Sequence, residues 1–282
     1  MPDSDPTPRP HADRPLLGIA LRFGSASCFA IMAAALKLAS LRGVTAPEMI
    51  LYRNGFGLPL VLLWVLSGPG LRALATRRPL AHLTRSGIGL VSMLLTFQAI
   101  ILLPPAEATT ITFTAPVFAT ILSVIVLSEV VGRFRWCAVA LAAAVGQAAV
   151  SITLRQISRT EGIAPIVFWF TVATTLAGAA TLPWFGQRHD AVTWGLLVAA
   201  GLIGGSGQIM MTASLRHAPV AVVAPLDYVQ ILWATLFGWI LLAHPPTATT
   251  LVGAAMIAGG GLLTAWREQR LRRTVAATVR DQ

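Results

Sequence analysis

In this chain of 282 residues, 55% are apolar, only 11% are charged, and mean hydropathy is +0.72. A soluble domain carries about a quarter of its residues charged, so the composition excludes one. The net charge of +10 could suit nucleic acid, but the 21 Lys and Arg fall in short connections and tails, so they read as topology signals and no nucleic-acid partner is expected. At roughly 28 residues per helix and connection, the length holds about ten membrane spans.

Residues 1–15 are polar with five prolines and read as a disordered tail without a cleaved signal peptide. Leu16 to about Leu38 is the first span, with Ser25, Ser27 and Cys28 among its small residues. Lys37 stands at its far end, where a long side chain snorkels to the interface. Pro47 starts the second helix, to about Leu66, and Arg53 lies about 10 Å inside it, within reach of Glu48 or Glu107. Residues 67–86 hold Arg72, Arg77, Arg78 and Arg85 and look too polar to span, so the third helix is expected over Gly87–Leu103, with Thr96 and Gln98 inside. In the fourth, Ala106–Leu127, the residues Thr109, Thr112, Pro116, Thr120 and Ser123 share one helical face. Such a stripe lines a path or bonds back to its own carbonyls.

Four further spans are expected: Ile163–Trp184, Thr193–Leu215, Val220–Ala243 and Thr249–Trp266. In the second of these, Gly201 and Gly205 let a neighbouring backbone approach. The third has 24 residues, about 36 Å of helix against a hydrocarbon core of roughly 30 Å. Asp227 is its only charge, and a carboxylate at that depth is paired, protonated or facing a wet cavity. Pro225, two residues earlier, frees a carbonyl beside it. Cys28 and Cys137 lack metal-ligand spacing and read as buried thiols.

Gly132–Arg159 is too short for two antiparallel spans, which need about 40 residues. If it crosses once, Lys and Arg divide ten inside and ten outside, with Arg53 left out as intramembrane; if it crosses twice, 17 against 3. The positive-inside rule prefers two crossings or none. Internal echoes agree: residues 108–146 superpose on 223–261 at an offset of 115, and Leu36-Lys37 and Pro47 fall on Leu154-Arg155 and Pro165 at an offset of 118. The expectation is therefore ten helices as five plus five, nine of them clear, with about 20 residues missing near Ala144–Gln147. Residues 16–158 would hold the first repeat and the start of the second, shortened over 132–158; 159–266 would hold the rest, and 267–282 a basic cytoplasmic tail. Five is odd, so the two halves insert oppositely, the architecture that lets one central site open to either side.

The run PVFATILSVIVLSEVVGRFRW from Pro116 resembles the fourth-helix signature of the EamA-type drug/metabolite transporter superfamily, and APLDYVQILWATLFGWILLAHPPTATTLVGAAMIAGGGLL from Ala224 resembles its helices nine and ten. Two departures stand out: the family usually has an acid where His244 stands, and two full helices where Gly132–Arg159 lies. The resemblance implies an all-α integral membrane bundle of two inverted five-helix repeats around a central cavity. It also implies substrates that include amino acids, sugars, nucleotide-like compounds and vitamins, with the aromatic amino acid exporters as the nearest branch.

Asp227, Tyr228 and Gln230 place a carboxylate, a phenol and an amide in one turn, able to bind an amine or, at Asp227, to carry a proton. Gln98, Gln208 and Thr212 can hydrogen-bond a zwitterion or a neighbouring helix, and Thr112 belongs to the threonine stripe. Trp169 and Tyr228 can stack on an aromatic ring or hold an ammonium. Arg53 is a static pair or the binder of a substrate carboxylate, and Lys37 an interfacial anchor. No phosphate-binding glycine loop or His/Asp cluster occurs, so ATP-driven transport, a metal centre, a catalytic residue and a cofactor are not expected. The sequence thus points to a monomeric inner-membrane secondary transporter, both termini cytoplasmic, that exports amino acids or related metabolites. Uptake of a vitamin or nucleoside-like compound is the alternative, and a non-transporting scaffold or lipid-modifying enzyme the competing class.

Overall fold

The computed structural model describes residues 15–76, 78–103, 160–218 and 223–243, with isolated positions elsewhere that include Gly146, Val150, Thr153 and Ile157. Its helices are numbered here as they occur: α1 Pro15–Ser40, α2 Ala46–Ser67, α3 Pro79–Leu102, α4 Ile163–Phe185, α5 Ala191–His217 and α6 Val229–Leu242. Single 3-10 turns stand at Leu71–Leu74 and Ala224–Tyr228. Among the described residues there is no strand, and the first five helices are long and apolar enough to cross a membrane.

Their burial is that of a bilayer protein. Leu16, Leu63, Trp184 and Ile240 are exposed, whereas Lys37, Arg53, Asn54, His82 and Arg85 are buried. With hydrocarbon outside, large apolar side chains can face out at no cost while charges must face other helices. The apolar core joins Met32 and Leu36 of α1, Met49 and Ile50 of α2, Phe97 of α3 and Leu197 of α5.

Small residues set the helix spacing. Gly57 of α2 lies against the Gly201 carbonyl and Gly205 Cα of α5, as the Gly201/Gly205 pair predicts, and Ser25 Oγ of α1 donates to the Gly207 carbonyl at 2.8 Å. At Gly178 of α4 an added Cβ would stand 2.8 Å from both the Cα and N of Leu51. Backbone cannot retreat as a side-chain tip can, so Gly178→Val should separate α2 from α4 and destabilise the bundle by about 1–3 kcal/mol. Denaturant titration in micelles measures this; an unchanged midpoint would contradict the contact.

The packing is reciprocal between the two halves of the chain. Gly207 of α5 faces Cys28 of α1, and Gly146 faces Ser92 of α3. Cys28 and Gly146 are 118 positions apart, and Ser92 and Gly207 are 115 apart, the same two offsets as the sequence echoes. Two repeats exchanging equivalent contacts produce this arrangement.

Two expected elements differ. α3 starts at Pro79 rather than Gly87, because its polar first turns are stabilised by burial instead of water: His82, Arg85 and Ser86, at i, i+3 and i+4, face inward while Leu80 and Leu83 face out. The expected single helix over Val220–Ala243 is broken, with a 3-10 turn over Ala224–Tyr228 carrying Pro225 at its start. Five residues at about 2.0 Å and fourteen at 1.5 Å still give about 31 Å, so the two pieces together span the hydrocarbon.

At the α4–α5 connection, Asp190 caps α5, accepting from Thr193 N at 3.2 Å and from the Thr193 hydroxyl, and it accepts from Arg42 Nη1 at 3.0 Å. The Thr193 hydroxyl, with Arg42 behind it, holds the Asp190 carboxyl below its ordinary value. Its contribution is therefore present above the unfolded carboxyl pKa and is lost as pH falls through the lower folded one.

Candidate functional site

Asp227 sits on the 3-10 turn that interrupts the last described span, and it faces α1. Arg22 grips it with both arms of the guanidinium: Nε donates to Oδ1 at 2.6 Å, and Nη2 donates to Oδ2. The side chains of the pair are 13% and 25% exposed. This is the bidentate fork that makes arginine–carboxylate pairs strong and directional. α1 precedes the shared middle of the chain and Asp227 follows it, so the pair ties the first half to the second.

Composition alone counts Arg22 as a topology charge and does not pair it with Asp227. The available signal was complementarity, since Arg22 is a lone cation about 10 Å inside an apolar span and Asp227 a lone anion inside another.

Around this pair the expected residues divide. Tyr228 is half-buried next to Asp227, and Gln230 lines a small cavity, about 30 Å³, with Ala30 and Ala34 of α1, Ile100 of α3 and Phe237 of α6. Among the described residues the wall of the seam is mostly apolar here, with one amide on it. One turn on, Trp233 donates from Nε1 to Ser27 Oγ at 3.0 Å and stacks on Phe237 at 5.6 Å. Gln208 and Thr212 are buried on α5, but the Thr212 hydroxyl donates to the Gln208 carbonyl at 2.9 Å, bonding its own helix.

Other expected members do not join. Gln98 is exposed on α3. Trp169 is 39% exposed, and its Nε1 donates to the Leu74 carbonyl at 3.0 Å, so it fastens the 3-10 turn after α2 rather than stacking on a ligand. Thr112, Glu107, Cys137 and His244 lie outside the described residues.

Lys37 is not a snorkelling anchor. It is buried, and its Nζ donates to the carbonyls of Ile100, Ile101 and Leu103 at 2.8, 3.1 and 2.9 Å. Those are terminal acceptors of α3, left open where a helix ends, and a cation there also meets the negative end of the helix dipole. Lys37→Met should cost about 2 kcal/mol of stability without altering which solutes are bound. Thermal unfolding and ligand-shift measurements on the same sample check both halves of that expectation.

Arg53 does not pair with Glu48. Five residues turn a helix through about 500°, which leaves the two side chains some 140° apart. Glu48 instead turns back over the start of α2, accepting from Thr45 N at 2.9 Å, from Gln187 N at 2.8 Å and hydrogen-bonding His189 Nε2 at 2.9 Å. Arg53 points inward, with Nη1 donating to Asn54 Oδ1 at 2.9 Å and Nε to Met32 Sδ at 3.4 Å. Arg85 is 2% exposed and lies over the Phe170 ring, with its Cζ 4.4 Å from the centroid. Among the described residues no group of His, Cys, Asp and Glu could hold a metal.

The EamA-like transporter family model matches residues 16–146 and again 134–266. The pseudopaline exporter of Pseudomonas aeruginosa is 27% identical over 267 residues, covering 85% of this chain and 93% of that protein. A riboflavin transporter of Vibrio cholerae is 24% identical over 293 residues (92% and 96%), and one of Rhizobium johnstonii 25% over 232 residues (73% and 77%). A crystal structure of another protein superposes with a TM-score of 0.64 at 17% identity, over 88% of this chain and 96% of that one, a likeness of fold. The family moves small metabolites across bacterial membranes and is not an enzyme family, which sets aside the scaffold and lipid-modifying readings. With both of its repeats matched in a multi-pass helical bundle, the chain belongs to the EamA-like transporter family.

Proposed function

We propose that the chain exports small amphipathic metabolites bearing an amine and a carboxylate, amino acids including aromatic ones, by alternating access in the bacterial inner membrane. The Arg22–Asp227 pair across the seam carries this reading. A proton or a substrate ammonium competes with Arg22 for the carboxylate. When either arrives, the fork opens and α1 is free to part from the broken span; when it leaves, the fork closes again. Asp227 exchanges partners and never stands bare, which keeps a buried charge from raising the barrier.

Transport in proteoliposomes with a panel of labelled amino acids, with and without a pH gradient, tests this. Counterflow of at least one amino acid, accelerated by the gradient, is the expected result; none for any of them would end the reading. A second reading, movement of a vitamin or nucleoside-like compound, is favoured by the relatives named as riboflavin transporters, and the stacked Trp233–Phe237 pair beside Gln230 offers a flat ring a surface. Riboflavin belongs in the same panel.

The organisation proposed with it is five plus five helices with both termini cytoplasmic. The two family matches overlap over residues 134–146, which supports the reading of a shortened middle. Arg22, Lys37 and Arg85 lie within helices and face other helices, so they leave the charge count, which becomes 15 inside against 2 outside and keeps its sign. Labelling of cysteines placed at each end from one side of the membrane tests the topology.

A further inference from the structure

α2 and α3 are consecutive spans entering from opposite faces, and each carries one inward arginine. Arg53 lies about 10 Å from the start of α2 and Arg85 about 9 Å from the start of α3. The Arg85 guanidinium continues inward over Gly89, where an added Cβ would come within 2.5 Å of Nη1. No carboxylate among the described residues forms a salt bridge with either.

Arg85 is the more exceptional of the two. Among the described residues its Nε and Nη1 are buried without a hydrogen-bond partner, and so are His82 Nε2 and Ser92 Oγ on the same helix. Buried polar atoms are almost always satisfied, and a buried cation is normally paired. Phe170 supplies a π face but accepts neither N–H in the plane of the guanidinium. What would satisfy Nε–H and Nη1–H together is an oxyanion approaching in that plane.

We propose that Arg85 and Arg53 form an anion-binding station on the transport path, and that the substrate accordingly carries two anionic groups. This rests on the carrier reading above and narrows its substrate from amino acids in general to dicarboxylic compounds of that size. Arg85 takes one carboxylate bidentately, with Ser92 and His82 beside it, and Arg53, held by Asn54, takes the other. Two positive charges that no acid among the described residues pairs are each met by a carboxylate of a dicarboxylic compound, whereas a simple amino acid has only one carboxylate to offer.

The test uses the purified full chain, with thermal unfolding in the presence of glutamate, leucine or inorganic phosphate, and counterflow of labelled glutamate and leucine in proteoliposomes. Glutamate should bind at least tenfold tighter than leucine. Arg85→Gln and Arg53→Gln should each reduce that preference tenfold or more, and Arg85→Lys, which keeps the charge but loses the fork, should retain an intermediate preference and covers the case in which Arg85→Gln fails to fold. Stabilisation by phosphate in place of glutamate keeps the anion station and assigns it to a phosphate ester. An unchanged glutamate-to-leucine ratio in the arginine variants, or no stabilisation by any anion, overturns the proposal. The carrier reading fails separately: if no amino acid is transported but anions stabilise the wild type and not Arg85→Gln, the station stands and amino acid export does not.

Discussion

Asp227→Asn is expected to lower gradient-driven transport by about a hundredfold or more, the scale on which a positioned proton-carrying group acts. Asparagine fills the same volume, but it cannot take up a proton and offers Arg22 one oxygen where the carboxylate offers two. The fork is left half made, and nothing remains for a proton or an ammonium to displace. Ligand-induced stabilisation should weaken without vanishing, because the solute's ammonium loses Asp227 while its anionic end meets other residues. Loss of transport with retained binding is therefore the diagnostic combination; a variant that still responds to a pH gradient would remove Asp227 from the coupling.

Arg22→Ala should destabilise the folded bundle more than Arg22→Ala combined with Asp227→Ala. The single change leaves a carboxylate within the bundle with its main partner gone, which costs about 3 kcal/mol, at the lower end for a buried pair because the side chains retain some exposure. Removing both charges removes that penalty, so the double variant should recover most of the loss. Denaturant unfolding of the four proteins in the cycle supplies the coupling energy. Equal losses in the single and double variants would mean that the pair does not hold the halves together.

The helices, their order and the residues that could matter were largely legible, because apolar length is read directly from composition. The ends of α1, α2, α4 and α5 fall within about two residues of expectation, the scatter inherent in helix ends. The Gly201/Gly205 spacing also translated directly into the close approach to Gly57. The start of α3 did not, because a rule that reads Arg85 and His82 as too polar to span assumes that they face lipid.

Sequence by itself determined that this chain crosses a bilayer many times as two related halves, and that Asp227 and Arg53 lie inside it, since length, hydropathy and internal offsets depend on local order alone. Tertiary structure decided the partners. It gave Asp227 to Arg22 across 205 positions, gave Lys37 to the end of α3, turned Glu48 away from Arg53, and left Arg85 with open donors beside Phe170. Which charge meets which depends on the rotation of each helix about its axis, and that is fixed only when every face packs against another at once.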